Sequence, residues 1–513
     1  MKLVSKIVSH AHFKFSIMLA ASAAILSSFL LIGAGSPGLN AELISIGVDG
    51  QAGSGAGFYV GSEITAGAVS ADGRYVVFSS LAENLTADDV SGWHIYLRDR
   101  VTDTTTLIAD GSNSGGSPVI SADGQFIAFR SLSSQLVAND LNGFVDIFVY
   151  DRVNGVTRRV SVASDGSEGD GCSCGWPDTC NGCEYDNVNS HPSISGDGRY
   201  IAFTSFSSNF INGDLQDTPD VFVHDQQTGE TTIISRASDG NLGNAGSGEP
   251  SISADGNSIA FSSKADNLIA EDWNGQQDIF LWRRGIVGLT RVSVASDGTD
   301  ANSTSTDPVI SADGKHIVFT SGATTLAEND TNGAIYDVFL HDLDKGEIRI
   351  LSSGLAGGGD WPAISDNGQS VSFNSGTDDI YLFNVVSGQR QLINERMQHT
   401  ALNENGSALV MSGYDNMLPV DTNNDKDVYL VSLDGQEPPV DDEPPVDEEP
   451  PVGDDGQPVD DQAPSADDGT TSNDDSGISC SYNPDGRFDP VLPALLLFAL
   501  AYLCLQLIKK RAN

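Results

Sequence analysis

One phrase, Ser-x-Asp-Gly, recurs along this chain at a spacing that leaves few folds open to it. It stands at Ser70–Gly73, Ser121–Gly124, Ser195–Gly198, Ser253–Gly256 and Ser311–Gly314, with the variants Ser365-Asp-Asn-Gly368 and Asn403-Glu-Asn-Gly406. Self-similarity every 40 to 60 residues or so is the mark of a repeat architecture, in which each unit is one small supersecondary element.

Each copy separates two short apolar runs, as in Pro118-Val-Ile-Ser-Ala-Asp-Gly-Gln-Phe-Ile-Ala-Phe129, which reads as strand, Asp-Gly turn, strand. A third run follows, such as Asp146–Tyr150. A turn of the type Asn154-Gly155, Thr228-Gly229 or Ser387-Gly388 then leads into a fourth run, such as Thr157–Val162. The unit is therefore a four-stranded antiparallel meander. Such a sheet cannot bury both faces alone, and radial repetition solves the problem, so seven units predict an all-β, seven-bladed β-propeller over residues 42–436.

The two ends of the array complement each other. The seventh unit runs from Met397 through Asp427–Val431 to Gln436 and meets a proline-rich segment before a fourth run. Glu42–Gly50, "ELISIGVDG", instead repeats the phrase that closes other units, Arg159–Gly166 "RVSVASDG", Ile234–Gly240 "ISRASDG" and Arg291–Gly298 "RVSVASDG". Leu43–Val48 is thus expected to supply the missing strand, closing the ring and removing two sheet edges.

These elements, "ISADGQFIAFRS", "DIFVYDRVNG" and "VTRRVSVASDG", resemble the TolB-type (WD-like) propeller repeats of exported bacterial proteins. The resemblance spans about Glu42 to Gln436. It implies the propeller fold and leaves function open, since such repeats serve binding proteins, scaffolds and accessory domains of enzymes alike.

Charge and flanking segments set the setting. With 71 acidic against 26 basic residues the net charge is −45, which opposes nucleic-acid phosphates and anionic lipid as partners. Residues 1–41 have the layout of a secretory signal peptide: Lys2, Lys6 and Lys14, an apolar run from Phe15 to Ile32, then small residues to Ala41. An uncleaved N-terminal anchor is the alternative. After Gln436, residues 437–479 alternate prolines with carboxylates, a composition that stays extended and solvated and reads as a stalk.

Residues 480–513 contain an apolar run, Val491–Ile508, followed by Lys509, Lys510 and Arg511, long enough to span a bilayer with its basic end in the cytoplasm. This predicts an exported, envelope-tethered propeller facing away from the cytoplasm. "FDPVLPALLL" resembles the DVT class of C-terminal sorting signals, with Val491 where threonine is usual. The resemblance implies a sorting intramembrane protease as partner and processing or lipid attachment near Cys480. A plain tail anchor is the other reading.

Connections from second to third run carry acidic and amide residues at a regular step: Asp140, Asn142 and Asp146; Asp272, Asn274 and Asp278; Asp330, Asn332 and Asp337; and Asp421, Asn423, Asp425 and Asp427. Calcium takes six to eight hard oxygens, so calcium is the expected cofactor of such loops, the last set being the strongest candidate. The competing reading is turn chemistry, in which short polar side chains bond the backbone and glycine takes positive φ.

Cys172, Cys174, Cys180 and Cys183 lie together in an insert, residues 170–186, and read as two disulfides stapling a loop in an oxidising setting, or as a four-thiolate zinc site.

The one Gly-x-Ser-x-Gly match, Gly171-Cys-Ser-Cys-Gly175, lies inside the cysteine-rich insert and not between a strand and a helix, and only the stalk and the apolar run follow the propeller, so α/β-hydrolase chemistry is not expected. His191 precedes a first run and could face a channel, whereas His224 and His341 fall in third runs. The expected function is non-catalytic binding of a protein or glycan. A carbohydrate-active propeller of polysaccharide-lyase type is the alternative.

Overall fold

The computed structural model describes residues 40–434, apart from 56–60, 88–91, 110–115, 174–191, 215–217, 377 and 415. The described residues form seven four-stranded antiparallel sheets, each with its strands in sequence order except the last. Blade 4 is typical, with Ser247–Ile252 innermost, then Ser258–Ser263, Asp278–Arg283 and Thr290–Arg291.

The core between blades is built from one cross-strand aromatic pair per unit. Phe78 stacks on Tyr96, Phe129 on Phe148, Phe203 on Phe222, Phe261 on Phe280, Phe319 on Phe339 and Phe373 on Tyr381, with ring centroids 5.7–6.0 Å apart. These are directly opposed residues of the second and third strands, where side chains meet most closely. In blade 7 the pair is Met411 and Tyr429.

The recurring phrase now has a mechanical reading. In blade 4 Ser253 Oγ donates to Asp255 Oδ1 at 2.6 Å and accepts from the Ser258 N–H at 3.0 Å, pinning both ends of the turn. The glycine takes positive φ and in blades 2, 3 and 4 lies against an aromatic ring of the preceding blade. A Cβ on Gly198 would sit 2.1 Å from Phe126, and one on Gly256 2.2 Å from Tyr200. In several blades the second residue of the phrase bonds the next turn, as Ala71 N to Ala122 O and Ala254 N to Ala312 O at 3.0 Å and Glu404 N to Ala71 O at 3.3 Å, the last joining the first and seventh blades.

Ring closure by the N-terminus is observed, with one correction. The closing strand is Asn40–Leu43, antiparallel to Asp427–Ser432 with Leu43 opposite Tyr429, and not Leu43–Val48. The chain leaves the sheet after Ile44 and folds into a small hairpin bridged between Ile46 and Ala52, which leaves Val48 68% exposed. The apolar alternation of Leu43–Val48 belongs half to the strand and half to that hairpin. Among the described residues the closing strand includes Asn40 and Ala41, which pair with Ser432 and Val431.

The signal-peptide residues, the acidic segment, Cys480 and Val491–Ile508 lie outside the described residues.

Candidate functional site

At the end of the inner strands opposite the Ser-x-Asp-Gly turns, the register slips between Gly116 and Val119, Gly248 and Ser251, Thr306 and Val309, Asp360 and Ala363, and Gln398 and Thr400. Each slip is a β-bulge holding one non-glycine residue at positive φ: Ser117 (55°), Glu249 (57°), Asp307 (54°), Trp361 (45°) and His399 (36°). Such a backbone costs about 1–3 kcal/mol per residue and tends to gather at ligand sites. Bulges also re-aim side chains, and Glu249, Asp307, Trp361 and His399 line one cavity of about 50 Å³ at the channel mouth, walled further by Thr65 and Pro308.

The cavity's electrostatics are unusual for a chain so acidic. Glu249 Oε2 accepts the Asp307 N–H at 3.0 Å. Burial, reinforced by the Asp307 charge, pushes Glu249 up to about 8, and burial raises Asp307 to about 6. Asp360, beside them, is raised to about 6 by burial and by the charges of Asp307 and Asp378. Burial thus makes all three carboxyls hold a proton more tightly than exposed ones do.

Burial, aided by the Lys426 charge, lowers His399 to about 3, so its imidazole is uncharged. Both ring nitrogens of His399 and Asp307 Oδ1 are buried with no hydrogen-bond partner among the described residues. Trp361 lies against the imidazole, with centroids 4.8 Å apart. The site thus presents an uncharged imidazole, carboxyls whose proton affinity burial raises, and one aromatic face.

Below the mouth, the channel is a cavity of about 110 Å³ lined by apolar inner-strand residues such as Ile120, Ile252, Ile310 and Leu402. Its one acidic lining residue is Asp366, raised to about 6 by burial and the Glu404 charge.

The predicted carboxylate loops lie on the same face as the mouth, since both precede or follow strands running away from the Ser-x-Asp-Gly turns. They are not alike. In blades 2, 3, 4, 5 and 7 the third strand opens with a buried aspartate bonded by a serine two residues past the end of the fourth strand: Ser161 to Asp146, Ser235 to Asp220, Ser293 to Asp278, Ser352 to Asp337 and Ser45 to Asp427.

In blade 2 Arg159 Nη1 sits 3.2 Å from both Asp140 Oδ1 and Asp146 Oδ2. In blade 4 Arg291 Nη1 is 3.0 Å from Asp272 Oδ1 and 3.6 Å from Asp278 Oδ2. A guanidinium therefore stands between the first and last carboxylates of these two loops, while Asn142 and Asn274 bond Asp146 and Asp278 at 2.9 and 2.7 Å.

Blades 5 and 7 have no such arginine. Their counterparts, by pairing register, are Ile350 opposite Phe339 and Leu43 opposite Tyr429. Asn332 bonds back to Asp330 at 3.2 Å, and Asp425 N–H to Asn423 at 2.9 Å, the turn chemistry that was the competing reading. Among the described residues no group of three or more His, Cys, Asp or Glu side chains is close enough to hold a metal.

Of the other predicted residues, Cys172 is buried beside Val145 and Phe206, and Cys174, Cys180, Cys183 and His191 lie outside the described residues. His224 and His341 sit within third strands, bonded to Thr231 and to the Val292 carbonyl at 2.9 Å. The mouth residues went unnoticed in sequence. Their signal is the changing residue before a proline three places ahead of the recurring serine, in Ser117-Pro118, Glu249-Pro250, Asp307-Pro308 and Trp361-Pro362.

No family model matches the chain, and no curated protein does. Among solved structures it is similar to an oligogalacturonate lyase in complex with manganese, at 14% identity over 73% of this chain and 90% of that one, with a TM-score of 0.49. It is similar to TolB from Acinetobacter baumannii, at 18% identity over 62% of this chain and 63% of that one, TM-score 0.38. It is also similar to the β-propeller domain of the trilobed protease from Pyrococcus furiosus, at 14% identity over 74% and 95%, TM-score 0.45. At such low identity these likenesses bear on neither activity nor ligand.

Proposed function

We propose that this chain is an exported, envelope-tethered binding propeller that receives a glycan at its channel mouth. The observation that carries the reading is the convergence of Glu249, Asp307, Trp361 and His399 from four separate bulges, with the His399 nitrogens and Asp307 Oδ1 buried and unpaired. Unpaired buried polar atoms cost stability unless a ligand satisfies them. Trp361 offers a face for the C–H side of a sugar ring, the carboxyl oxygens accept hydroxyl protons, and a cavity of about 50 Å³ admits the edge or end of a chain rather than a whole oligosaccharide. Export and tethering rest on the sequence of the two terminal segments.

The test is tryptophan fluorescence of the full chain titrated with neutral and uronic oligosaccharides. Saturable quenching, lost in Trp361→Ala and in Asp307→Asn with the melting temperature retained, supports the reading. Absence of response to every glycan while a protein ligand is retained on the same face would overturn the glycan assignment.

A carbohydrate-active enzyme of polysaccharide-lyase type is the second reading, since Glu249, Asp307 and His399 share one cavity in which a uronic glycan could meet several titratable groups at once. Glycan that is bound and recovered intact points to binding, and new unsaturated ends point to lyase chemistry.

A further inference from the structure

The arginines of blades 2 and 4 mark where a positive charge belongs in this kind of loop. In both, Nη1 lies between Oδ1 of the first aspartate and Oδ2 of the last. In blade 7 the corresponding atoms are Asp421 Oδ1 and Asp427 Oδ2, and these two oxygens are buried without a hydrogen-bond partner among the described residues. Their side chains are 3% and 1% exposed. The other oxygens are taken: Asp427 Oδ1 by Ser45 at 2.6 Å, and Asp421 Oδ2 by the Tyr429 hydroxyl. Leu43 occupies the arginine's place and brings no charge.

We infer that the loop Asp421–Asp427 binds one divalent cation, calcium by its oxygen-only donors, at the position filled by a guanidinium in blades 2 and 4. Asp421 and Asp427 supply the carboxylates. Asn423 and Asp425 stand within the same loop, and water and backbone carbonyls are the ordinary remainder of a calcium shell. The location gives the ion a role. Ser45 and Gly53, which bond Asp427 and Asn423, belong to the N-terminal segment, so the ion would rivet the two ends of the chain where the ring closes.

The test is the melting temperature of the full chain at pH 8 with millimolar calcium and with chelator, since an ion that binds only the folded state raises stability with its concentration. The expected result is a rise of several degrees, lost in the double variant Asp421→Asn, Asp427→Asn and also in Leu43→Arg, which should melt higher than the natural chain in chelator.

Terbium provides a second readout that does not depend on those variants: luminescence excited through Tyr429 should appear in the natural chain, be displaced by calcium, and vanish in Tyr429→Phe. No calcium shift and no terbium signal in the natural chain would overturn the site. An undiminished calcium shift in the double variant, with terbium signal surviving Tyr429→Phe, would place the ion elsewhere and overturn it equally.

Discussion

Ser45 Oγ donates to Asp427 Oδ1 at 2.6 Å across 382 residues of chain, and the same hydroxyl accepts the Val428 N–H at 3.0 Å. Four other blades make this pair within about 15 residues, as Ser293 does with Asp278. Blade 7 makes it between the two ends of the propeller. Ser45→Ala leaves a buried carboxyl and a buried N–H unsatisfied, so a loss of about 1–3 kcal/mol is expected. Ser293→Ala should cost a similar amount, but only Ser45→Ala should speed proteolysis of residues 40–53, read by limited digestion.

Burial holds Asp220 and Asp427 at about 7 and Asp278 at about 6. Unfolded aspartate titrates near ~4, so between those values the folded chain holds protons that the unfolded chain has lost. Glu249, raised to about 8, and Asp307, Asp360 and Asp366, raised to about 6, act in the same direction, so stability in chelator should fall as pH rises from about 4 to about 8. Calorimetry at pH 5 and pH 8 reads the difference, and Asp220→Asn with Asp427→Asn should lessen it.

Gly256 has φ +68° and faces Tyr200 across the blade boundary. Gly256→Ala meets both left-handed strain and a ring 2.2 Å from the new methyl, so a loss of at least about 2 kcal/mol is expected. Gly155→Ala, where nothing lies within 4 Å of the added methyl, bears the strain alone and should cost less. Urea denaturation separates the two.

Arg291 neutralises Asp272 and Asp278 and also pairs with Asp300. Arg291→Ala leaves two buried carboxyls facing each other, a loss of about 3 kcal/mol at pH 8. The loss should shrink at pH 5, where Asp278 can take up a proton. If the cation inference for blade 7 is right, this variant also gains a calcium-dependent melting shift that the natural blade 4 loop lacks.

Much of the architecture was legible because it is written in local chemistry. Serine, aspartate and glycine at fixed offsets specify a turn through bonds a few residues long, and seven such turns between apolar runs leave radial packing as the way to bury their faces. Even the missing strand could be read, since Ile44-Ser45 repeats Val292-Ser293. The strand's limits could not, because Leu43, Ile44, Ile46 and Val48 have one alternation but are split between a sheet and a hairpin by where Val428 offers its carbonyl.

The candidate sites divide along the same line. That loops such as Asp140–Asp146 and Asp421–Asp427 carry carboxylates is a property of the chain. Whether each charge is answered depends on the residue across the sheet, arginine at 159 and 291 but leucine at 43, and that neighbour comes from a different strand. The channel mouth is further removed still: Glu249, Asp307, Trp361 and His399 are 58, 54 and 38 residues apart in sequence, and share a cavity because radial closure turns one bulge position per blade toward a common axis. Short-range bonding is readable from order along the chain, whereas burial, and with it every shifted proton affinity at the mouth, exists only once the ring has closed.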